Sequence, residues 1–111
     1  MAIMEANYSN LNYEEMAMAI GLKPKHIPLL IGSFLEEAHP ILEKLQTAIE
    51  ENDYETIHSA AHSIKGSAGN LRFNELHSMS REMELAGSES DSSFDYSGYL
   101  DAVRTAVNTI K

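Results

Sequence analysis

The chain has 111 residues, of which 43% are hydrophobic and 23% are charged, and this composition fits one globular domain with its own core. Seventeen acidic against eight basic residues give a formal net charge of -9, which argues against binding to nucleic acids or to anionic membranes. The absence of cysteine excludes disulfides and thiolate metal sites. The longest apolar run, 27–31, is too short to span a bilayer, and no basic and apolar leader opens the sequence, so we expect a soluble, cytoplasmic protein.

The first predicted helix is short and is marked at both ends. Asn12 can cap a helix, Glu15 follows three residues later as in a capping box, and Gly21 can end the helix in a left-handed conformation. We therefore predict a helix over residues 13–20.

The second predicted helix is longer and has apolar residues at every third or fourth position. These residues share one face of the helix: Leu30, Phe34, Ala38, Ile41, Leu42, Leu45, Ala48 and Ile49. Either Pro24 or Pro28 can open this helix. Pro40 lies inside the pattern and removes a backbone donor, so a kink or a break is expected near Ala38.

The third and fourth predicted helices follow closely. Asn52 and Glu55 form a second capping-box pattern, and the third helix is expected to end near Gly69 and Asn70. The fourth is expected to stop at Gly87, and its apolar residues are Phe73, Leu76, Met79, Met83 and Ala86.

A polar segment and a last helix complete the chain. Residues 87–98 are rich in Ser, Asp and Gly and predict a loop. The last helix has an apolar stripe formed by Tyr96, Tyr99, Leu100, Val103, Val107 and Ile110. Four amphipathic helices with short connections predict an all-α antiparallel four-helix bundle, with the short first helix added at one end. We expect residues 1–111 to form a single domain whose core bundle covers about 24–110.

His62 lies on the wrong side of the third helix to be a core residue. At about 100° per residue, the apolar positions between Ile57 and Leu71 fall on one face, and His62 lies opposite them. Lys65 and Gly66, three and four residues later, share the face of His62. A glycine inside a helix costs about 0.5–1 kcal/mol relative to alanine, so Gly66 needs a reason other than helix stability.

His62, Lys65 and Gly66 together suit a phosphoryl group that is carried by an exposed imidazole. An ordinary histidine is mostly neutral at pH 7, and the neutral ring is the nucleophile. Gly66 leaves the ring open to another protein, and Lys65 can bring a cation to an anionic group on it. Phosphoryl transfer depends mainly on positioning and charge neutralisation, so a partner could supply the remaining groups.

The stretch AHSIKGSAGNL, residues 61–71, resembles the signature of the histidine-containing phosphotransfer (Hpt) domains of bacterial phosphorelays. The resemblance covers about residues 30–86, and Leu76, Met83 and Glu84 continue it downstream. It implies a four-helix bundle without kinase activity, in which His62 is the phosphoacceptor and Lys65 and Gly66 assist the phosphohistidine.

The resemblance also implies a binding partner for the chain. The partner would be the receiver domain of a response regulator or of a hybrid histidine kinase, which brings its own magnesium, so that the chain needs no cofactor or metal of its own. We expect a monomer with a modest, transient interface. The expected docking residues are His58, Ser59 and Gly69 on the third helix and Phe34 and Glu37 on the second. Arg72 and Phe73 depart from the small residue that many relatives carry there, and they are expected to border this face.

Three other functions compete with a phosphocarrier. A helical interaction module without phosphotransfer would have the same fold and would use the Gly66 face for a partner helix. His58 and His62 have the spacing of two metal ligands, but a third ligand such as His77 would be needed, and Lys65 would repel a cation. A dimerising histidine-kinase segment would need an ATP-binding domain with a Gly-rich phosphate loop, which the sequence lacks.

Overall fold

The structure, a computed structural model, describes residues 3–110, and that part of the chain is helical without a β-strand. Its α-helices are α1 (Tyr13–Ile20), α2 (Ile27–Glu50), α3 (Tyr54–Asn70), α4 (Asn74–Ser88) and α5 (Tyr96–Asn108). A 3-10 turn, Pro24–His26, precedes α2. No helix within these residues has the length and the apolar character that crossing a membrane requires.

The helices α2 to α5 form the bundle that the sequence predicts. α3 packs on α2 and on α4, and α5 packs on the same two helices, so the apolar stripes close around one core. Residue 58 meets residue 84, and residue 65 meets residue 77, which makes α3 and α4 antiparallel. The short helix α1 lies at one end, against the 3-10 turn and α2. The predicted fold class is confirmed.

The ends of α1 follow the sequence signals. The side chain of Asn12 accepts a hydrogen bond from the backbone N–H of Glu15 at 3.1 Å. Gly21 has φ of 74°, the left-handed conformation that favours glycine at a helix end. Both the boundaries and the caps of this helix are confirmed.

α2 does not break at Pro40. The helix runs without interruption from Ile27 to Glu50, so the expected break is wrong. Pro40 cannot donate to the carbonyl of Glu36, but both residues are exposed, and water can satisfy that carbonyl. At the other end the two prolines act in sequence, because Pro24 opens the 3-10 turn and Pro28 lies in the first turn of α2.

Two helix boundaries differ from prediction. The cap of α3 is Asp53, which accepts from the N–H of Thr56 at 3.2 Å, while Asn52 takes a left-handed φ of 53° in the preceding turn. α4 does not stop at Gly87 but continues to Ser88. A Cβ at Gly87 would lie 3.0 Å from the backbone nitrogen of His58, so this glycine permits close helix packing instead of ending the helix.

The segment before α1 closes one end of the bundle. The ring of Tyr8 packs on that of Phe73, with centroids 4.5 Å apart. Its hydroxyl donates to Glu75 at 2.8 Å and accepts from the backbone N–H of Leu76 at 3.3 Å. Leu76 lies in the first turn of α4, whose N-cap Phe73 makes no side-chain hydrogen bond, so Tyr8 satisfies a donor that would otherwise be free.

Candidate functional site

His62 lies on the outer face of α3. Its side chain is 63% exposed, whereas Ala61 and Ile64 beside it in sequence are buried in the core. The expected orientation, away from the apolar stripe, is confirmed.

One carboxylate links the two polar side chains of this face. Glu84 of α4 accepts from Nδ1 of His62 through Oε2 at 2.7 Å, and it forms an ion pair with Nζ of Lys65 through Oε1, also at 2.7 Å. The side chain of Glu84 is only 11% exposed, so water screens these contacts little. We call His62, Lys65 and Glu84 the triad.

Glu84 is ionised. Burial acts to raise the pKa of its carboxyl, but hydrogen bonds and charge interactions with Lys65 and His62 outweigh burial and hold the pKa below its ordinary value. An ionised carboxylate only accepts hydrogen bonds, so Nδ1 of His62 carries the hydrogen. In the neutral ring, the lone pair available for nucleophilic attack is therefore on Nε2, the nitrogen farther from Glu84.

Lys65 has capacity for a second ligand. Its ammonium group has three N–H donors, and the ion pair with Oε1 of Glu84 uses one of them. The side chain is 24% exposed, so the remaining donors are within reach of an anion that arrives from solvent. The triad thus combines a fixed nucleophile with a cation close to it.

An open cavity of about 490 Å³ adjoins the triad between α2 and α3. It is lined by Glu37, Ile41, His62, Ser63, Gly66, Ser67 and Asn70. A Cβ added at Gly66 would meet no atom within 4 Å, so the glycine is not required by packing inside this chain. The open side of the imidazole is therefore available to an approaching molecule.

Two further histidines lie near the triad, each bonded to a backbone carbonyl. Nδ1 of His58 donates to the carbonyl oxygen of Glu84 at 3.1 Å, and Nδ1 of His77 donates to that of Lys65 at 3.0 Å. Within residues 3–110, no group of three or more His, Cys, Asp or Glu side chains is arranged to hold a metal ion.

A model of the Hpt domain family matches residues 29–110, which is most of the chain. The chain belongs to the Hpt domain family. The match covers α2 from Leu29 onward and α3 to α5, and it leaves the segment before residue 29, with α1, outside. Comparisons with curated proteins and with solved structures gave no significant match.

Membership of this family indicates the general function of the chain. Hpt domains are phosphohistidine carriers of phosphorelays rather than catalytic enzymes, and they interact with receiver domains. A carrier needs a histidine that a second protein can approach, and in this Hpt domain His62 combines exposure with a fixed ring.

The structure separates the expected docking residues into exposed and covered groups. Ser59 and Glu37 are exposed, and Glu37 lines the cavity beside His62. Phe34 is only 4% exposed and packs on the core ring of Phe73, so its side chain is not a surface group. Gly69 is covered by the ring of His77, which would lie 2.9 Å from an added Cβ.

Arg72 and Phe73, which stand where many relatives carry a small residue, lie in two different environments. Phe73 is 1% exposed and belongs to the core, so the expectation that it borders the phosphorylation face is wrong. Arg72 is exposed, has a left-handed φ of 63°, and donates to the carbonyl oxygens of Gly69 and Ala19. The arginine thereby ties the end of α3 to α1.

Sequence reasoning missed the role of Glu84. The sequence places it in the match to the family pattern but gives no sign that it contacts His62, which lies 22 residues earlier. No local signal singled it out, because Glu82 and Glu84 both flank the core position Met83 and lie equally far from the centre of the apolar stripe. The partner could not be named without the antiparallel packing of α3 and α4.

Proposed function

We propose that this Hpt protein accepts a phosphoryl group on Nε2 of His62 from the phosphoaspartate of a receiver domain and returns it, reversibly, to the aspartate of another. The observation that carries this proposal is the 2.7 Å bond from Nδ1 of an exposed His62 to the Glu84 carboxylate. This bond fixes the tautomer and leaves Nε2 as the free nucleophile.

The transfer step balances without a proton from this chain. The lone pair of Nε2 forms the N–P bond, the P–O bond to the aspartate breaks, and the carboxylate of the receiver leaves with the bonding electrons. The hydrogen on Nδ1 stays between His62 and Glu84, and the carboxylate offsets the positive charge that develops on the ring. The reverse step restores the neutral ring.

Lys65 and Gly66 support this step in different ways. The free N–H donors of Lys65 turn toward the transferred phosphoryl group, whose charge they neutralise. Gly66 adds no side chain to the wall of the cavity, so the receiver can bring its aspartate close to the ring of His62. Magnesium belongs to the receiver in this scheme, and the chain acts as a monomer with no cofactor of its own.

The docking face that we propose extends from His62 toward α1. A second cavity of about 300 Å³ shares Glu37, Ser67 and Asn70 with the first. Its rim includes two exposed apolar residues, Leu22 at 44% and Leu30 at 37%. Partly exposed apolar residues beside a polar reaction site suit a transient partner that buries a modest area. Phe34 supports this face from below.

The test is to incubate the protein with a phosphorylated receiver domain and magnesium, and then to measure intact mass at neutral pH. Wild type should gain one phosphoryl group that is labile in acid, and His62→Gln should gain none. His39→Gln is the matched control, because His39 is exposed on α2 and lies outside the cavity beside His62. Phosphorus NMR of the product then distinguishes Nε2 from Nδ1.

The outcomes separate the two functions that share this fold. An equal mass gain in His62→Gln would refute His62 as the acceptor. If no receiver phosphorylates the wild type but receivers bind it, the chain is an interaction module without phosphotransfer. Phosphorylation on Nδ1 would refute the proposed role of Glu84, because that nitrogen would then have left the carboxylate.

A further inference from the structure

Two histidines that take no part in the transfer step form side-chain hydrogen bonds between α3 and α4, beside the triad. His58 of α3 donates to the carbonyl of Glu84, and His77 of α4 donates to the carbonyl of Lys65. The two bonds run in opposite directions, and they end on the two residues that pair with each other next to His62. We call these bonds the two histidine clasps.

Both clasps lie where glycine brings the helices close together. A Cβ at Gly69 would lie 2.9 Å from Nδ1 of His77, and one at Gly87 would lie 3.0 Å from the backbone nitrogen of His58. A carbonyl oxygen can accept two hydrogen bonds, so each clasp adds to the helical bond of its carbonyl and does not replace it. The clasps therefore connect intact helical turns.

We infer that His58 and His77 are positioning residues, which hold the turns that carry Glu84 and Lys65 at the spacing His62 requires. The inference rests on the proposed function, since it concerns how the triad is kept ready for transfer. The bond from His62 to Glu84 is 2.7 Å long, and a shift of α4 by about 1 Å would break it. Misplacement by about 1 Å can slow a reaction by roughly 100-fold.

Side-chain length provides the test. Asparagine can place an amide N–H close to the position of Nδ1, whereas glutamine reaches beyond it and alanine removes the donor. We would compare His58→Asn, His58→Gln and His58→Ala, with the same three changes at His77. His39→Ala is the control for loss of an exposed imidazole elsewhere.

Two readouts are needed. Proton–nitrogen NMR of the unphosphorylated protein reports whether Nδ1 of His62 is still bonded to Glu84, and rapid-mixing experiments with a phosphorylated receiver report the transfer rate. We expect the asparagine variants to keep the Nδ1 signal and a rate within about threefold of wild type. The alanine and glutamine variants should shift that signal and lose roughly 10-fold in rate, at temperatures where circular dichroism shows them folded.

Unchanged signal and rate in folded alanine variants would overturn the inference, and so would equal losses in the asparagine and glutamine variants. If an alanine variant does not fold, the comparison of asparagine with glutamine still decides. If wild type accepts no phosphoryl group, the proposed function fails by itself, and the NMR comparison still shows whether the clasps position Glu84.

Discussion

Replacing Gly66 by alanine should make the protein more stable and less active. Gly66 is exposed in α3, one turn after His62, and a Cβ at this position would meet no atom within 4 Å. The full difference in helix propensity should therefore appear as a gain of about 0.5–1 kcal/mol in the free energy of unfolding. For a protein of this size, that gain raises Tm by about 2–8 °C.

The loss of activity has a separate cause. The new methyl group would stand on the wall of the cavity that His62 also lines, on the side from which we propose that the partner approaches. If it keeps the receiver about 1 Å farther away, transfer should slow by roughly 10- to 100-fold. The rate is measured by rapid mixing with a phosphorylated receiver, and stability by urea unfolding.

Gly32→Ala is the matched control. Gly32 is also exposed and inside a helix, and an added Cβ there also meets no atom within 4 Å, but it does not line the cavity beside His62. It should give the same gain in stability with an unchanged transfer rate. Equal rates for Gly66→Ala and Gly32→Ala would refute the proposed approach of the partner over Gly66, and a loss of stability in Gly66→Ala would refute the open space at that position.

Three further predictions concern stability. Glu84→Gln should lower the free energy of unfolding by about 1–3 kcal/mol at pH 7. Because the pKa of Glu84 is lowered in the folded protein, the greater stability of wild type should be lost as the pH falls through that folded pKa. Urea unfolding at a series of acidic pH values would measure this loss. Tyr8→Phe leaves the N–H of Leu76 without its acceptor and should cost about 1–3 kcal/mol, with faster amide exchange at Leu76; an unchanged exchange rate would contradict this. Burial, with a hydrogen bond to Glu82, raises the pKa of Tyr99 to about 12, so wild type should lose stability between pH 10 and about 12, and Tyr99→Phe should lose less in alkaline unfolding experiments.

The helices could be predicted because their stripes and caps are local signals. The cap at Asn12 and the left-handed Gly21 lie within a few residues of the helix they bound, and both were predicted correctly. Asn52 and Asp53 are adjacent and both suit a cap, so sequence alone could not choose between them. Gly87 looked like a helix end, but its role depends on the distance to α3, which no local pattern contains.

The candidate site also combines features that local sequence signals predict with features that depend on tertiary packing. The outward orientation of His62 follows from helical periodicity, and so does its neighbourhood with Lys65 and Gly66, because all three lie on one helix. Glu84 and His77 come from α4 and reach the site only through tertiary packing. Phe34 was expected both on the apolar face of the second helix and among the docking residues, and its burial in the core agrees only with the first expectation.

The contacts of Tyr8 bear on how the protein should be cut for biochemical work. The family match begins at residue 29, and a fragment trimmed there would keep His62, α3 to α5 and α2 from Leu29 onward, but not the buried Ile27. It would also lose the phenol ring that packs on Phe73 and the hydroxyl that accepts from Leu76. An apolar end of the bundle would then face water, which favours aggregation. Weak phosphotransfer by such a fragment would therefore not count against His62 as the proposed phosphoacceptor.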